Sequence, residues 1–149
     1  MPNDNGEDLE AKPRVVVAFG VFDLLHPGHI AFLEEARRCG DRLIVVVTRD
    51  ERAENEKGRR PYFCLEERIG MLAALSCVDE VVAGDRVGEW TMVERLRPDV
   101  ICVGHDQDPC RPKAVEQIER LAIRPDIVRI QAFKRERYST SVIRFRIGS

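Results

Sequence analysis

Strands with no polar face constrain this chain more than any other feature of it. Val15-Val16-Val17-Ala18-Phe19, Leu43-Ile44-Val45-Val46-Val47 and Val100-Ile101-Cys102-Val103 are continuous apolar runs, not alternating ones. Such a strand is buried on both faces, which happens when helices cross over between parallel strands. Helix-like segments do alternate with these runs. The chain reads as strand 14–19, helix 27–39, strand 43–48, helix 65–75, strand 80–83, helix 89–96, strand 100–103, helix 113–122, strand 127–130 and helix 140–146. Pro27 falls in the first turn of the first helix, Gly40 lies just past its end, and Ser139 or Thr140 caps the last helix. The expected fold is α/β: a Rossmann-like, doubly wound, five-stranded parallel sheet with helices on both faces. Residues 1–13, polar and acidic, are expected to form a disordered leader ahead of one domain over 14–149.

Composition narrows the function. A net charge of -2 with 34% charged residues gives a solvated surface without strong bias, which argues against a nucleic-acid binder driven by bulk charge. No apolar run is long enough to span a membrane, and the N-terminus has no basic-then-apolar signal pattern. Five widely spaced cysteines without a Cys-x-x-Cys pair form neither a metal pattern nor a disulfide framework. A reducing, cytoplasmic setting is expected.

In an open parallel sheet, ligands bind beyond the carboxyl ends of the strands. His26-Pro27-Gly28-His29 follows the first strand there, at the start of a helix whose N–H groups and dipole suit an anion. One histidine at a helix start is commonly an ordinary polar residue. A pair three apart shares a face, and Gly28 between them lets a ligand approach the backbone. Gly104–Asp108 and Tyr138–Ser141 follow later strands and are expected on the same edge. So is Arg49–Arg60, a charged stretch without apolar period, read as a solvated loop and, from its position, as a mobile basic lid carrying Lys57. Ser139-Thr140 is a helix N-terminus with hydroxyls and free N–H groups for phosphate. Asp106 is a loop acid or a nucleoside contact, and Trp90 is read as helix packing.

Other chemistries lack their residues. There is no Gly-x-Ser-x-Gly, no Gly-x-x-x-x-Gly-Lys-Ser/Thr and no Gly-x-Gly-x-x-Gly. His26, His29 and His105 form a poor zinc set without an acidic partner, so no protein metal ligands are expected.

Phe22-Asp23-x-x-His26-x-Gly28-His29 resembles the signature of the cytidylyltransferase-like nucleotidyltransferase superfamily. Lys57-Gly58-Arg59-Arg60-Pro61 with Glu66-Glu67-Arg68, Val78-Asp79-Glu80-Val81 and Ser139-Thr140-Ser141 resemble its later blocks, in order, over roughly 14–147. Among its small members, Gly104-His105-Asp106-Gln107 is most similar to the Gly-Pro-Asp-Gln of archaeal-type FAD synthases. Lys134-Arg135-Glu136-Arg137-Tyr138 departs from the Arg-Thr-Glu-Gly-Ile of glycerol-3-phosphate cytidylyltransferases, and Val21 replaces the usual small polar residue before Phe-Asp.

The resemblance implies transfer of a nucleoside monophosphate from an NTP to a phosphate ester, with release of pyrophosphate. FAD synthesis from ATP and FMN is the first expectation. Glycerol-3-phosphate cytidylyltransferase, sugar-phosphate adenylyltransferase and a non-catalytic nucleotide-binding regulatory module are the alternatives. It further implies His26 and His29 on the α- and β-phosphates, Lys57 over the triphosphate or acceptor phosphate, and Ser139 and Thr140 on the pyrophosphate. Asp106 would contact the nucleoside, with Val21, Phe22, Pro27 and Gly28 also binding the nucleotide. Mg²⁺ bridging phosphates and a homodimer are implied in the same way.

Overall fold

Continuous apolar runs become parallel strands in the computed structural model, which describes residues 12–104, 119–121, 123–131, 134 and 136–148. The strands are β1 (Val15–Gly20), β2 (Arg42–Val47), β3 (Glu80–Ala83), β4 (Val100–Gly104) and β5 (Asp126–Ile130). The helices are α1 (Pro27–Arg37), α2 (Asp50–Lys57), α3 (Leu65–Ala73), α4 (Met92–Leu96) and α5 (Thr140–Arg146). Residues 119–121 are also helical; the rest of the helix expected over 113–122 lies outside the described residues, as do residues 1–11 of the leader.

All pairings are parallel, in the order β3-β2-β1-β4-β5. The chain winds outward from β1 in one direction and, from β4, in the other. The switch in order therefore falls between β1 and β4, where their carboxyl ends leave a crevice.

Burial explains why the runs lack a polar face. On one side Val16, Ala18, Val45 and Val47 pack with Leu33 and Ala36 of α1 and Leu72 of α3, all fully enclosed. On the other, Val17, Ile44 and Val46 pack with Met92 of α4. Each large apolar side chain taken wholly out of water contributes about 1.5–3 kcal/mol.

Carboxylates close the amino edge of the sheet. Asp41, Asp79 and Asp99 accept the backbone N–H groups of Arg14 (2.8 Å), Leu43 (2.8 Å) and Val15 (2.9 Å). Asp126 pairs with the Arg14 guanidinium at 2.6 Å.

The opposite edge is organised by Arg68, which is fully enclosed in α3. Its guanidinium donates to the carbonyls of Val21 (2.9 Å), Thr48 (2.8 Å) and Phe63 (2.9 Å) and to Asp50 Oδ1 (2.5 Å). One side chain thus joins the turns that follow β1 and β2 to the start of α3. A rigid fork of donors suits that task and an ammonium does not.

Two expectations are corrected. The charged stretch 49–60 is not a loop, because Asp50–Lys57 is helical. It lacks an apolar period because it buries only Ala53. Acids in its first turn, Lys57 in its last, the Arg52–Glu56 pair (3.0 Å) and good helix formers suffice. Gly58, at φ 75°, ends it in a left-handed conformation that costs glycine little. The helix expected from Glu89 begins instead at Met92. Asp85 holds the Thr91 N–H and hydroxyl (both 2.6 Å) and the Met92 N–H (3.1 Å), so the chain cannot turn helical earlier. Trp90 precedes the helix and carries the Arg52 guanidinium 4.5 Å above its ring, tying α2 to the turn after β3.

Arg68→Met is expected to lower stability by about 3–5 kcal/mol, because it strands three carbonyls and takes the enclosed cation from Asp50, which keeps only the Leu65 N–H and a more distant Arg60. A urea titration checks this; a loss below about 1 kcal/mol would mean the guanidinium is dispensable to the fold.

Candidate active site

A cleft of ≈ 470 Å³ opens at the carboxyl edge, with Phe19 and Gly20 of β1, Gly104 of β4 and Ile130 of β5 in its lining. It is large enough for a ligand of nucleotide size. His26, Gly28 and His29 line it from one side, Lys57, Arg59 and Arg60 from another, and Ser139, Thr140 and Ser141 from a third. The segments expected to converge do so, although more than 110 positions separate His26 from Ser139.

The histidines are arranged by the helix start itself. His26 is the N-cap of α1, Pro27 takes the first helical position, and His29 is the third. His26 Nδ1 accepts the Gly28 N–H at 3.0 Å, and His29 Nδ1 accepts the His26 N–H at 3.2 Å. The two imidazoles therefore form a reciprocal capping box. Their rings stack with centroids 3.7 Å apart. Phe22, at φ 53°, sets its ring edge-on to His29 at 5.5 Å. Gly28 leaves no alternative, since a Cβ there would lie 2.8 Å from His26 Cε1 and 3.0 Å from the Tyr138 carbonyl oxygen.

Capping also fixes the tautomers. A ring nitrogen that accepts a hydrogen bond is unprotonated, so each neutral ring carries its proton on Nε2. Burial lowers the pKa of His26. Burial, followed by the neighbouring His26, lowers that of His29 to about 3, against an opposing pull from Asp23. At neutral pH the ligand-free cleft thus presents two neutral N–H donors rather than two cations.

Asp23, 5% exposed, holds the surrounding loops. Oδ2 accepts the Tyr62 N–H (2.7 Å) and the Arg144 guanidinium (2.7 Å), and Oδ1 accepts the Phe63 N–H (3.0 Å). Burial acts to raise its pKa, but these donors outweigh it and the net shift is downward. Its carbonyl accepts the Thr140 hydroxyl at 2.8 Å.

Other sequence-derived assignments divide as follows. Val21 and Phe22 line the cleft, and the Val21 carbonyl is turned away toward Arg68. Pro27 is exposed and outside the lining, so its part is to start α1. Ser139 caps α5 by accepting the Val142 N–H at 3.2 Å, which leaves its hydroxyl proton to give. Thr140 has already given its proton to Asp23. Asp106 and His105 lie outside the described residues. Among the described residues, no three His, Cys, Asp or Glu side chains are grouped to hold a metal. Nor is any helix there long and apolar enough to cross a membrane.

Asp23 and Arg68 stand within the motifs of the sequence but were given no role there, and Arg144 was missed. The signal available for Asp23 was a lone charge inside an otherwise apolar stretch.

Comparison with known proteins agrees with this geometry. The model of the family described as cytidylyltransferase-like matches residues 17–146. An FAD synthase of Thermococcus sibiricus is 42% identical over 130 residues, covering 86% of this chain and 88% of its own. One from Pyrococcus abyssi is 43% identical over 138 residues, covering 90% and 91%. A solved structure, a lipopolysaccharide core biosynthesis protein from Thermoplasma volcanium, superposes with a TM-score of 0.75 at 37% identity. The match covers 83% of this chain and 100% of that one.

The depressed histidine pKa has a consequence for stability. The ordinary value is 6.5 and the folded value of His29 about 3, so between them the unfolded chain binds a proton that the native one refuses. Stability present above pH 6.5 is lost as pH falls through that window, at up to about 1.4 kcal/mol per pH unit. His29→Asn keeps an acceptor for the His26 N–H and is expected to flatten the decline in urea titrations. An unchanged slope would mean that His29 titrates normally.

Proposed function

The chain belongs to the cytidylyltransferase-like family and is a nucleotidyltransferase, and we propose that it joins ATP to FMN, forming FAD and pyrophosphate. The observation that carries this reading is the pair of stacked imidazoles in the cleft at a helix N-terminus, with both Nδ1 atoms taken by the cap and both Nε2 atoms left for a ligand. Likeness to FAD synthases over most of their length supports FMN as acceptor.

In the proposed reaction an FMN phosphate oxygen forms a bond to the α-phosphorus of ATP. The bond from that phosphorus to the β-phosphate bridging oxygen breaks, and pyrophosphate leaves with the electron pair. FMN's phosphate has a second pKa of about 6 and is mostly dianionic at pH 7, so no general base is required. The task left to the protein is to bring anions together and stabilise charge as it develops.

His26 and His29 direct their Nε2–H groups at the α- and β-phosphates. Being neutral beforehand, they offer Nε2–H to the phosphates while Nδ1 keeps the cap, and these hydrogen bonds strengthen as negative charge builds on the phosphate oxygens. Lys57 reaches over the triphosphate or the acceptor phosphate from the end of α2, and the turn at Gly58 brings Arg59 and Arg60 to the same cleft. Pyrophosphate rests on the backbone N–H groups of Thr140 and Ser141 and on the Ser139 hydroxyl. Asp106 takes the nucleoside contact.

Mg²⁺ fits as an ion carried by the phosphates. Asp23, the acid among the described lining residues, already accepts three donors, one of them the Arg144 guanidinium, so it is a poor direct ligand. Bound there, Mg²⁺ would neutralise phosphate charge. A homodimer and a cytoplasmic setting, where the free thiols of Cys39, Cys64, Cys77 and Cys102 stay reduced, complete the proposal. A sugar-phosphate acceptor is the second reading, favoured by the likeness to the Thermoplasma volcanium protein, since lipopolysaccharide cores are built from sugars.

Pyrophosphate release over a grid of ATP and CTP against FMN, glycerol 3-phosphate and sugar phosphates tests the proposal. Release with ATP is expected only when FMN is present, and His29→Asn is expected to lower it by about 10²–10³-fold. Release with ATP and a sugar phosphate but not FMN would transfer the assignment to the second reading. Release with no acceptor would contradict both.

A further inference from the structure

A carboxylate is an unfavourable neighbour for a site that must take a triphosphate and a phosphate ester. Yet Asp23 lines the cleft, and among the described lining residues it is the only acid. Its presence has a structural cause. The Tyr62 and Phe63 N–H groups both end on it, so this side chain, alongside Arg68, holds the connector leading into α3 to the turn after β1. The fold needs the acceptor; the ligands do not tolerate the charge.

Arg144 meets that charge. Its guanidinium lies 2.7 Å from Asp23 Oδ2, with the two side chains 13% and 6% exposed. It also lines the cleft from α5, the helix whose first turn carries Ser139 and Thr140. A second tie, from the Thr140 hydroxyl to the Asp23 carbonyl, joins the same two elements. α5 has no buried residue of its own and leaves Phe145 85% exposed, so apolar packing holds it weakly and these polar ties matter.

We propose that Arg144 is a positioning and charge-balancing residue: it cancels Asp23 inside the phosphate cleft and thereby lets a polyanion enter, while fixing the start of α5 beside it. At low effective dielectric, an uncompensated carboxylate within several ångströms of a phosphate weakens binding in proportion to ligand charge. A purely architectural arginine would instead affect charged and uncharged ligands alike. The inference rests on the nucleotide-binding reading above.

The test is calorimetric binding of ATP, AMP and adenosine to the wild type, Arg144→Gln and Arg144→Lys. For Arg144→Gln, ATP affinity is expected to fall about tenfold or more, AMP affinity by less, and adenosine affinity not at all. Arg144→Lys keeps the charge and is expected to bind ATP within about threefold of the wild type. The double variant Asp23→Asn with Arg144→Gln, which has no unpaired carboxylate, is expected to regain preference for ATP over adenosine. That ratio can be read on either variant that folds. An unaltered ratio in Arg144→Gln, or an equal loss for ATP and adenosine, overturns the inference alone. Failure of the wild type to bind ATP overturns the nucleotide reading beneath it.

Discussion

Everything at the carboxyl edge of this sheet depends on one enclosed guanidinium. Arg68 takes the carbonyls that begin the turns after β1 and β2, the carbonyl before α3 and the Asp50 carboxylate. A buried charge is costly unless its donors are matched, and here four of the five N–H groups have acceptors, one of them a carboxylate. The result is a rim whose loops cannot drift apart. Asp23 repeats the device with opposite sign, just after the Val21 carbonyl that Arg68 holds, collecting N–H groups where Arg68 collects carbonyls. Between them they set where His26, Lys57 and Thr140 stand.

On that rim, the helix cap and the proposed catalytic pair are the same two residues. A capping box is usually built from a hydroxyl and a carboxamide or carboxylate, whose task ends with the cap. With imidazoles in both places, capping uses Nδ1 and leaves Nε2–H for a ligand. Orientation, tautomer and neutrality therefore follow from the start of α1 and need no separate apparatus. A transition state that gathers charge on phosphate oxygens is stabilised by donors already aimed at it.

Much of this was legible in the sequence, for physical reasons that differ between elements. β1, β2 and β4 announced themselves because burial on both faces leaves no polar position in them. The His26–His29 segment was legible because its spacing and its place after a strand point one way, and the convergence of Ser139 and Thr140 followed from the sheet topology. α2 was not legible: its stability comes from charge pairs and capping, which leave no apolar period to detect. The start of α4 was set by Asp85 reaching across several residues, a contact that no local pattern encodes. Asp23–Arg144 spans 121 positions and exists only once the chain has folded.

The central claim is that the fold holds both histidines neutral, with the proton on Nε2, before any nucleotide arrives. Nitrogen-15 NMR of the imidazoles in the ligand-free protein at pH 7 measures this directly. The account predicts that His26 and His29 both show an unprotonated, hydrogen-bonded Nδ1 and a protonated Nε2. An imidazolium signal, or a proton on Nδ1 of either ring, would contradict it.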